Sequence, residues 1–251
     1  MTKLALLTGM IAAAAIAGTA HAGSVAHNSS LAAPGVYFGA GNEGTNHGWT
    51  VYTDGAIELG LTTIHRSVGA VDPTWNNVYN VPTGNNAPDG PTNRAWWNFD
   101  FSVNLDAGGA GSLTLGDVTA SLKVYDFLHN TVVTLDPFTA FDDNSAFDGT
   151  TTRNGNVTTP AQSTDVGYQN SENLTFGQFS ALGFDFDQND TFRLTLSLFD
   201  LSGNSLGSVS EQVVVGTGAS AVPLPATLPL FASGLGVMGW FARRKRKAVA
   251  A

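Results

Sequence analysis

The chain has 251 residues, 43% hydrophobic, with no cysteine and a formal net charge of −9 at pH 7. Without cysteine the fold has no disulfides, and its stability must come from burial, helped or not by a bound metal. All twenty Asp and Glu lie between Glu43 and Glu211, where only Arg66, Arg94, Lys123, Arg153 and Arg193 oppose them; a body this acidic excludes nucleic acid, whose affinity rests on Lys and Arg neutralising phosphates.

The N-terminus has the form of an export signal. Lys3 supplies a short positive region, Leu4 to Gly18 an apolar one, and Ala20-His21-Ala22 a small-x-small cleavage site. Residues 1–22 are therefore expected to be removed, leaving a mature chain that begins at Gly23. An exported domain is expected over 23–216, a Gly/Ser/Ala linker over 217–221 and a distinct C-terminal segment over 222–251. No internal repeat is visible, and the body is long enough for one sizeable core.

Within the body the pattern is strands and turns, without a convincing 3.6-residue period. Val36–Phe38 opens a first strand, followed by a Gly/Asn-rich loop. Trp49–Thr53 and Ala56–Thr63 flank Asp54-Gly55, a two-residue hairpin signal. Four prolines and many Asn and Gly make 69–93 a long exposed loop. Ala95–Leu105 then alternates Trp97, Phe99, Phe101, Val103 and Leu105 with Trp96, Asn98, Asp100, Ser102 and Asn104. That alternation predicts a strand with one face on a core and the other in solvent. Ser112–Leu115, Val118–Leu128 and Thr131–Leu135 read as further strands, and 137–172 as a second long loop. Thr191–Phe199 and Leu206–Val215, joined by a turn at Leu201–Asn204, close the domain as a hairpin. That closing pattern is similar to immunoglobulin-like bacterial surface modules. The expected fold is all-β, an immunoglobulin-like or related β-sandwich.

Two glycine motifs invite chemistry that their contexts oppose. Gly39–Gly44 fits G-x-G-x-x-G, but a hairpin follows where a dinucleotide site needs a helix. Gly203–Gly207 fits G-x-S-x-G around Ser205, but it lies between two strands, not between a strand and a helix. Calcium is the candidate cofactor. Asp185, Asp187, Asn189 and Asp190 crowd oxygen ligands into six residues, and Asp142, Asp143, Asn144 and Asp148 form a second cluster. The competing reading makes both clusters solvated turns. His27, His47, His65 and His129 show no paired spacing of the kind that zinc sites use. Trp96, placed by alternation on the polar face, is a candidate sugar contact unless the 69–93 loop covers it.

The C-terminal segment has three parts: Val222-Pro223-Leu224-Pro225-Ala226, an uncharged apolar run over 226–242, and the cations Arg243, Arg244, Lys245, Arg246 and Lys247. The run is at the short end of what a bilayer-spanning helix needs. The five cations should hold the far end on the cytoplasmic side. This segment resembles the PEP-CTERM class of sorting signals in its VPLPA form. The resemblance implies a Gram-negative exported protein that is anchored transiently, processed near the motif by an exosortase, and tied to the cell surface or extracellular polysaccharide. Leu224–Thr227 also opens an LPxTG-type sortase motif, but Leu228 stands in place of its glycine. An ordinary C-terminal membrane helix is the third reading.

The leading expectation is thus a surface or matrix protein without catalytic activity. A carbohydrate-binding adhesin and a polysaccharide-active hydrolase are the alternatives.

Overall fold

A computed structural model describes residues 23–32, 48–65, 68–87, 92–141, 145–149, 152–154 and 161–219. The expected signal peptide, the Val36–Phe38 strand, the Gly39–Gly44 loop, Asp142–Asn144 and the segment from 222 onward lie outside the described residues.

The described chain is β-rich, in two sheets that share one core. Its strands are β1 (Ser24–Ser29), β2 (Trp49–Asp54), β3 (Ile57–His65), β4 (Gly69–Ala70), β5 (Val78–Val81), β6 (Asn98–Asn104), β7 (Val118–Asp126), β8 (Thr131–Leu135), β9 (Ser145–Phe147), β10 (Thr152–Asn154), β11 (Gly167–Glu172), β12 (Asp190–Asp200) and β13 (Ser205–Val215). The larger sheet runs β1-β2-β3-β6-β11-β9-β10, with β4 also on β3; the smaller runs β5-β13-β12-β7-β8. All pairings are antiparallel except β5 with β13.

The inward residues of both sheets form one hydrophobic cluster. Leu59, Leu61, Phe99, Phe101, Val103 and Tyr168 come from the larger sheet, and Leu122, Val124, Leu194, Leu196, Leu198, Val209 and Val213 from the smaller. Each fully buried side chain of this kind contributes roughly 1.5–3 kcal/mol of transfer free energy. In a chain without disulfides this sum carries the fold. The all-β, two-sheet expectation is met.

The details depart from the sequence reading in instructive places. The β2–β3 hairpin forms, but Asp54 pairs with Ile57, so the two-residue loop is Gly55-Ala56, one position later than expected. Gly55 sits at φ +59, a conformation that favours glycine. Ser112–Leu115 is not a strand; a short 3-10 turn, Leu115–Asp117, leads into β7 instead. The two long loops contain strands. β5 adds in parallel to β13 from within 69–93, and β11 lies between β6 and β9 from within 137–172. β11 reads Gly-Tyr-Gln-Asn-Ser-Glu, and its largely polar sequence hides a strand that is buried on both faces.

The largest correction concerns β6. Its polar face, expected in solvent, is buried: Asn98, Asp100, Ser102 and Asn104 are all at most 4% exposed. The physical reason is that β3 and β11 flank β6 while Leu31 and Ala32 lie over the same outer face. A Cβ on Gly60 would stand 2.8 Å from Leu31, and the Ala32 amide donates to Glu58 at 2.8 Å. Buried polar groups need partners. Gln169 Nε2 donates to Ser102 Oγ at 2.9 Å, Asn98 Nδ2 to Ser171 Oγ at 3.2 Å, and Asn173 Nδ2 to Asn98 Oδ1 at 2.7 Å.

The two sheets also meet through polar groups. Glu211 points inward from β13, 0% exposed, and its Oε1 accepts from Thr63 Oγ1 at 3.2 Å. Among the described residues its other oxygen has no hydrogen-bond partner. Burial raises its pKa well above 4.5, opposed by the Thr63 hydrogen bond and reinforced by the nearby Asp100. Tyr79, whose pKa burial raises and the Glu211 charge raises further, donates to the Gly48 carbonyl. At the other end of β13, Tyr52 lies across Gly207, where an added Cβ would meet the ring at 2.2 Å. The Tyr52 hydroxyl donates to the Leu206 carbonyl at 3.3 Å.

Two predictions follow from these contacts. Gly207→Val should destabilise the protein by about 1–3 kcal/mol through overpacking against Tyr52, read as a lower denaturation midpoint; an unchanged midpoint would contradict the close approach. For Glu211, a folded pKa above the unfolded one means that its contribution to stability is complete below about 4.5 and falls as pH rises toward the folded pKa. Glu211→Gln removes that titration. The variant should therefore gain on the wild type as pH rises above 5, by up to about 1.4 kcal/mol per pH unit. Denaturant melts of the two proteins at stepped pH check this, and parallel pH profiles would refute a neutral Glu211.

Candidate functional site

Strand alternation gives the smaller sheet an outer face as well as a core face. On β7 the outward side chains include Lys123 and Tyr125, followed by Phe127; on β12 they include Arg193 and Thr195. Register sets Arg193 opposite Tyr125 and Thr195 opposite Lys123. Together these five residues line an open groove of about 450 Å³. Arg193 places its guanidinium 5.2 Å from the Phe127 ring centroid, and Tyr125 meets Phe127 edge-on at 4.8 Å. Hydroxyl pairs extend the face toward β13, with Thr195 to Ser210 at 3.1 Å and Ser197 to Ser208 at 2.9 Å. The groove therefore holds two of the five cations of the acidic body, beside aromatic rings and hydroxyls.

At the end of the same two strands, on the core side, lies a second group. Asp126 ends β7 and Asp190 begins β12, so adjacent strands set the two carboxylates side by side. The turn after β7 returns His129, assisted by Asn130 at φ 52. Asp126 is fully buried; its Oδ1 accepts from the His129 amide and its Oδ2 meets His129 Nδ1, both at 2.8 Å. Asp190 Oδ1 accepts from the amides of Thr191 at 2.5 Å and Leu128 at 3.3 Å. The Asp126 hydrogen bond raises the pKa of His129. Burial first, and then the Asp126 charge, push Asp190 up to about 6 although the two amide bonds oppose them. Among the described residues this is the one group of three His, Asp or Glu side chains whose ligand atoms lie within 4.8 Å of one another.

The expected calcium cluster is accordingly divided. Asp185 spends its oxygens on its own loop, accepting from the Asp187 amide and Gln188 Nε2, both at 3.0 Å. Asn189 Oδ1 accepts from the Thr217 amide at 3.0 Å. Asp190 faces Asp126 and His129, and neither Asp185 nor Asp187 belongs to that group. The structure thus gives Asp185 and Asn189 loop-forming roles. Of the second cluster, only Asp148 is described. Sequence spacing missed Asp126 and His129 because the third member is 61 positions away from His129. The only local signal was Asp126-x-x-His129 in a tight turn.

Trp96 also changes place. It is half-buried against the core, its ring centroid 4.0 Å from that of His65. The Gly84–Asn86 stretch runs alongside it: the Trp96 amide donates to the Gly84 carbonyl at 3.2 Å, and Asn85 bridges to Ala95. The 69–93 segment therefore pairs with the Trp96 backbone, and the ring is half-buried beside His65. Among the described residues the exposed tryptophan is Trp75, at 74%. Ser205 begins β13 directly after a strand-to-strand turn, as its context in the sequence required.

Beyond the described residues, the chain carries the PEP-CTERM protein-sorting motif over residues 221–247. The match takes in Val222–Ala226 and the five cations 243–247, and supports an exported protein processed by an exosortase-type enzyme. No curated protein matches the chain. Among solved structures it is similar to the PmoD soluble domain from Methylocystis sp. ATCC 49242 (Rockwell), at 11% identity and a TM-score of 0.27, covering 66% of this chain and 96% of that one. A likeness this slight assigns neither fold nor function.

Proposed function

We propose that this is an exported surface or matrix protein that acts by binding, without catalysis, and holds extracellular polysaccharide in the groove of its smaller sheet. The observation that carries the reading is the sorting motif at 221–247, which directs attention to the exported body as the working part. Residues 1–22 serve as the signal peptide. The apolar run over 226–242 spans the membrane transiently, with Arg243–Lys247 on the cytoplasmic side, until an exosortase cuts near Val222–Ala226. The body is an immunoglobulin-like or related sandwich, a reading supported by its β12–β13 closing hairpin. The groove suits a glycan because Tyr125 and Phe127 supply aromatic surface, and Lys123, Arg193 and Thr195 supply hydrogen-bond donors.

Mass spectrometry of the mature C-terminus tests the tail. In a host with the sorting enzyme the mature protein should lack Arg243–Lys247, and without that enzyme it should retain them. An intact tail in both hosts would make the segment a plain membrane anchor. Binding to the host's exopolysaccharide tests the groove. Arg193→Ala and Tyr125→Ala should each weaken it roughly fivefold, or about 1 kcal/mol. Wild-type affinity in both variants would remove the groove from the binding site.

A further inference from the structure

The group at the end of β7 and β12 is built more firmly than a solvated turn requires. Both carboxylates belong to residues at most 2% exposed. Each is pinned by backbone amides: His129 N holds Asp126 Oδ1, and Leu128 N and Thr191 N hold Asp190 Oδ1. Two buried carboxyl groups thus face one imidazole, at a position where an unpaired charge is costly. Carboxylates fixed by amides are the arrangement that outer-shell hydrogen bonds give to metal ligands.

We propose that Asp126, Asp190 and His129 form a binding site for one divalent transition cation of the zinc type, with the remaining coordination positions filled by water. Two carboxylate oxygens and an imidazole nitrogen match the ligand set of a borderline cation. Calcium takes six to eight oxygens and has no use for the nitrogen. A divalent ion cancels the two carboxylate charges while His129 stays neutral and lends Nδ1. Donors around one tetrahedral zinc stand roughly 3–3.5 Å apart. The present atoms lie within 4.8 Å of one another, and His129 Nδ1 already meets Asp126 Oδ2 at 2.8 Å, so the ion would replace that hydrogen bond, with His129, 38% exposed on its turn, shifting to admit it. The site is independent of the proposed glycan groove. It uses the core side of β7 and β12, while the groove uses the outer side.

The full chain, purified in detergent and stripped with chelator, is dialysed at neutral pH against low free Zn²⁺ or Ca²⁺, and bound metal is measured per chain. One saturable equivalent of zinc is expected, with no comparable calcium. His129→Gln replaces an exposed side chain, and Asp190→Asn keeps the shape of a buried one. Each should weaken zinc binding roughly tenfold or more. Circular dichroism confirms that the variants are folded, and His129→Gln alone decides the matter should Asp190→Asn fail to fold. Absence of stoichiometric zinc, zinc that stays bound in folded His129→Gln, or a calcium equivalent in its place would each overturn the assignment. Loss of zinc with polysaccharide binding intact would separate this site from the groove.

Discussion

Both faces of the larger sheet's centre are out of water, and the rest of the structure follows from that. On one face β6 presents Phe99, Phe101 and Val103 to the inter-sheet core. On the other it presents Asn98, Asp100, Ser102 and Asn104 to a buried polar layer. Desolvated amides and hydroxyls cost free energy unless they find partners. The neighbours of β6 supply them. Gln169 and Ser171 from β11 and Asn173 just beyond it hold the layer together side by side. Asn173 also donates to the Ala95 and Trp97 carbonyls, fastening the approach to β6. A chain with no disulfide is thus held by an apolar core on one side of this strand and by a hydrogen-bonded polar layer on the other, in which Glu58 Oε1 and Gln169 Oε1 are left without partners among the described residues.

The smaller sheet is arranged differently. Its outer face is open, so β7 and β12 alternate in the ordinary way between core leucines and solvent-facing Lys, Arg, Tyr, Thr and Ser. That one-sided burial frees the outer residues for binding, and strand register gathers Lys123, Tyr125, Arg193 and Thr195 from two strands. At the strand ends Asp126 pairs with Phe192, and Asp190, two residues before it, comes diagonally within reach of Asp126. The two sheets are coupled by groups that a simple sandwich would lack, Glu211 with Thr63 and Tyr79 with Gly48. Glu211 is tolerated in the core because burial shifts it toward its protonated form, and only the charged form carries the full desolvation cost.

The strands that were legible before folding were those with a clear period of two or a strong turn. β12 alternates from Phe192 to Leu198, β13 follows it across a turn, and β2–β3 announces itself through Asp54-Gly55. β5 and β11 were not legible. Val-Tyr-Asn-Val lies among prolines and asparagines, and Gly-Tyr-Gln-Asn-Ser-Glu carries one large apolar side chain; both become strands because partners already in the sheet offer hydrogen bonds. The polar side of β6 had the right period and the wrong environment. Alternation shows that two faces differ, and does not show whether the polar one reaches water.

The sequence by itself determined the address and the class of body: the 221–247 sorting motif and an acidic, cysteine-free, all-β domain. Those are written in contiguous residue types, charge signs and a period of two. Tertiary structure alone decided which polar groups work together. It half-buried Trp96 beside His65 and left Trp75 exposed, divided the 185–190 acids, and joined Asp190 to Asp126 and His129. Such groupings depend on strand pairing between distant segments, and spacing along a chain carries no record of which strands will lie side by side.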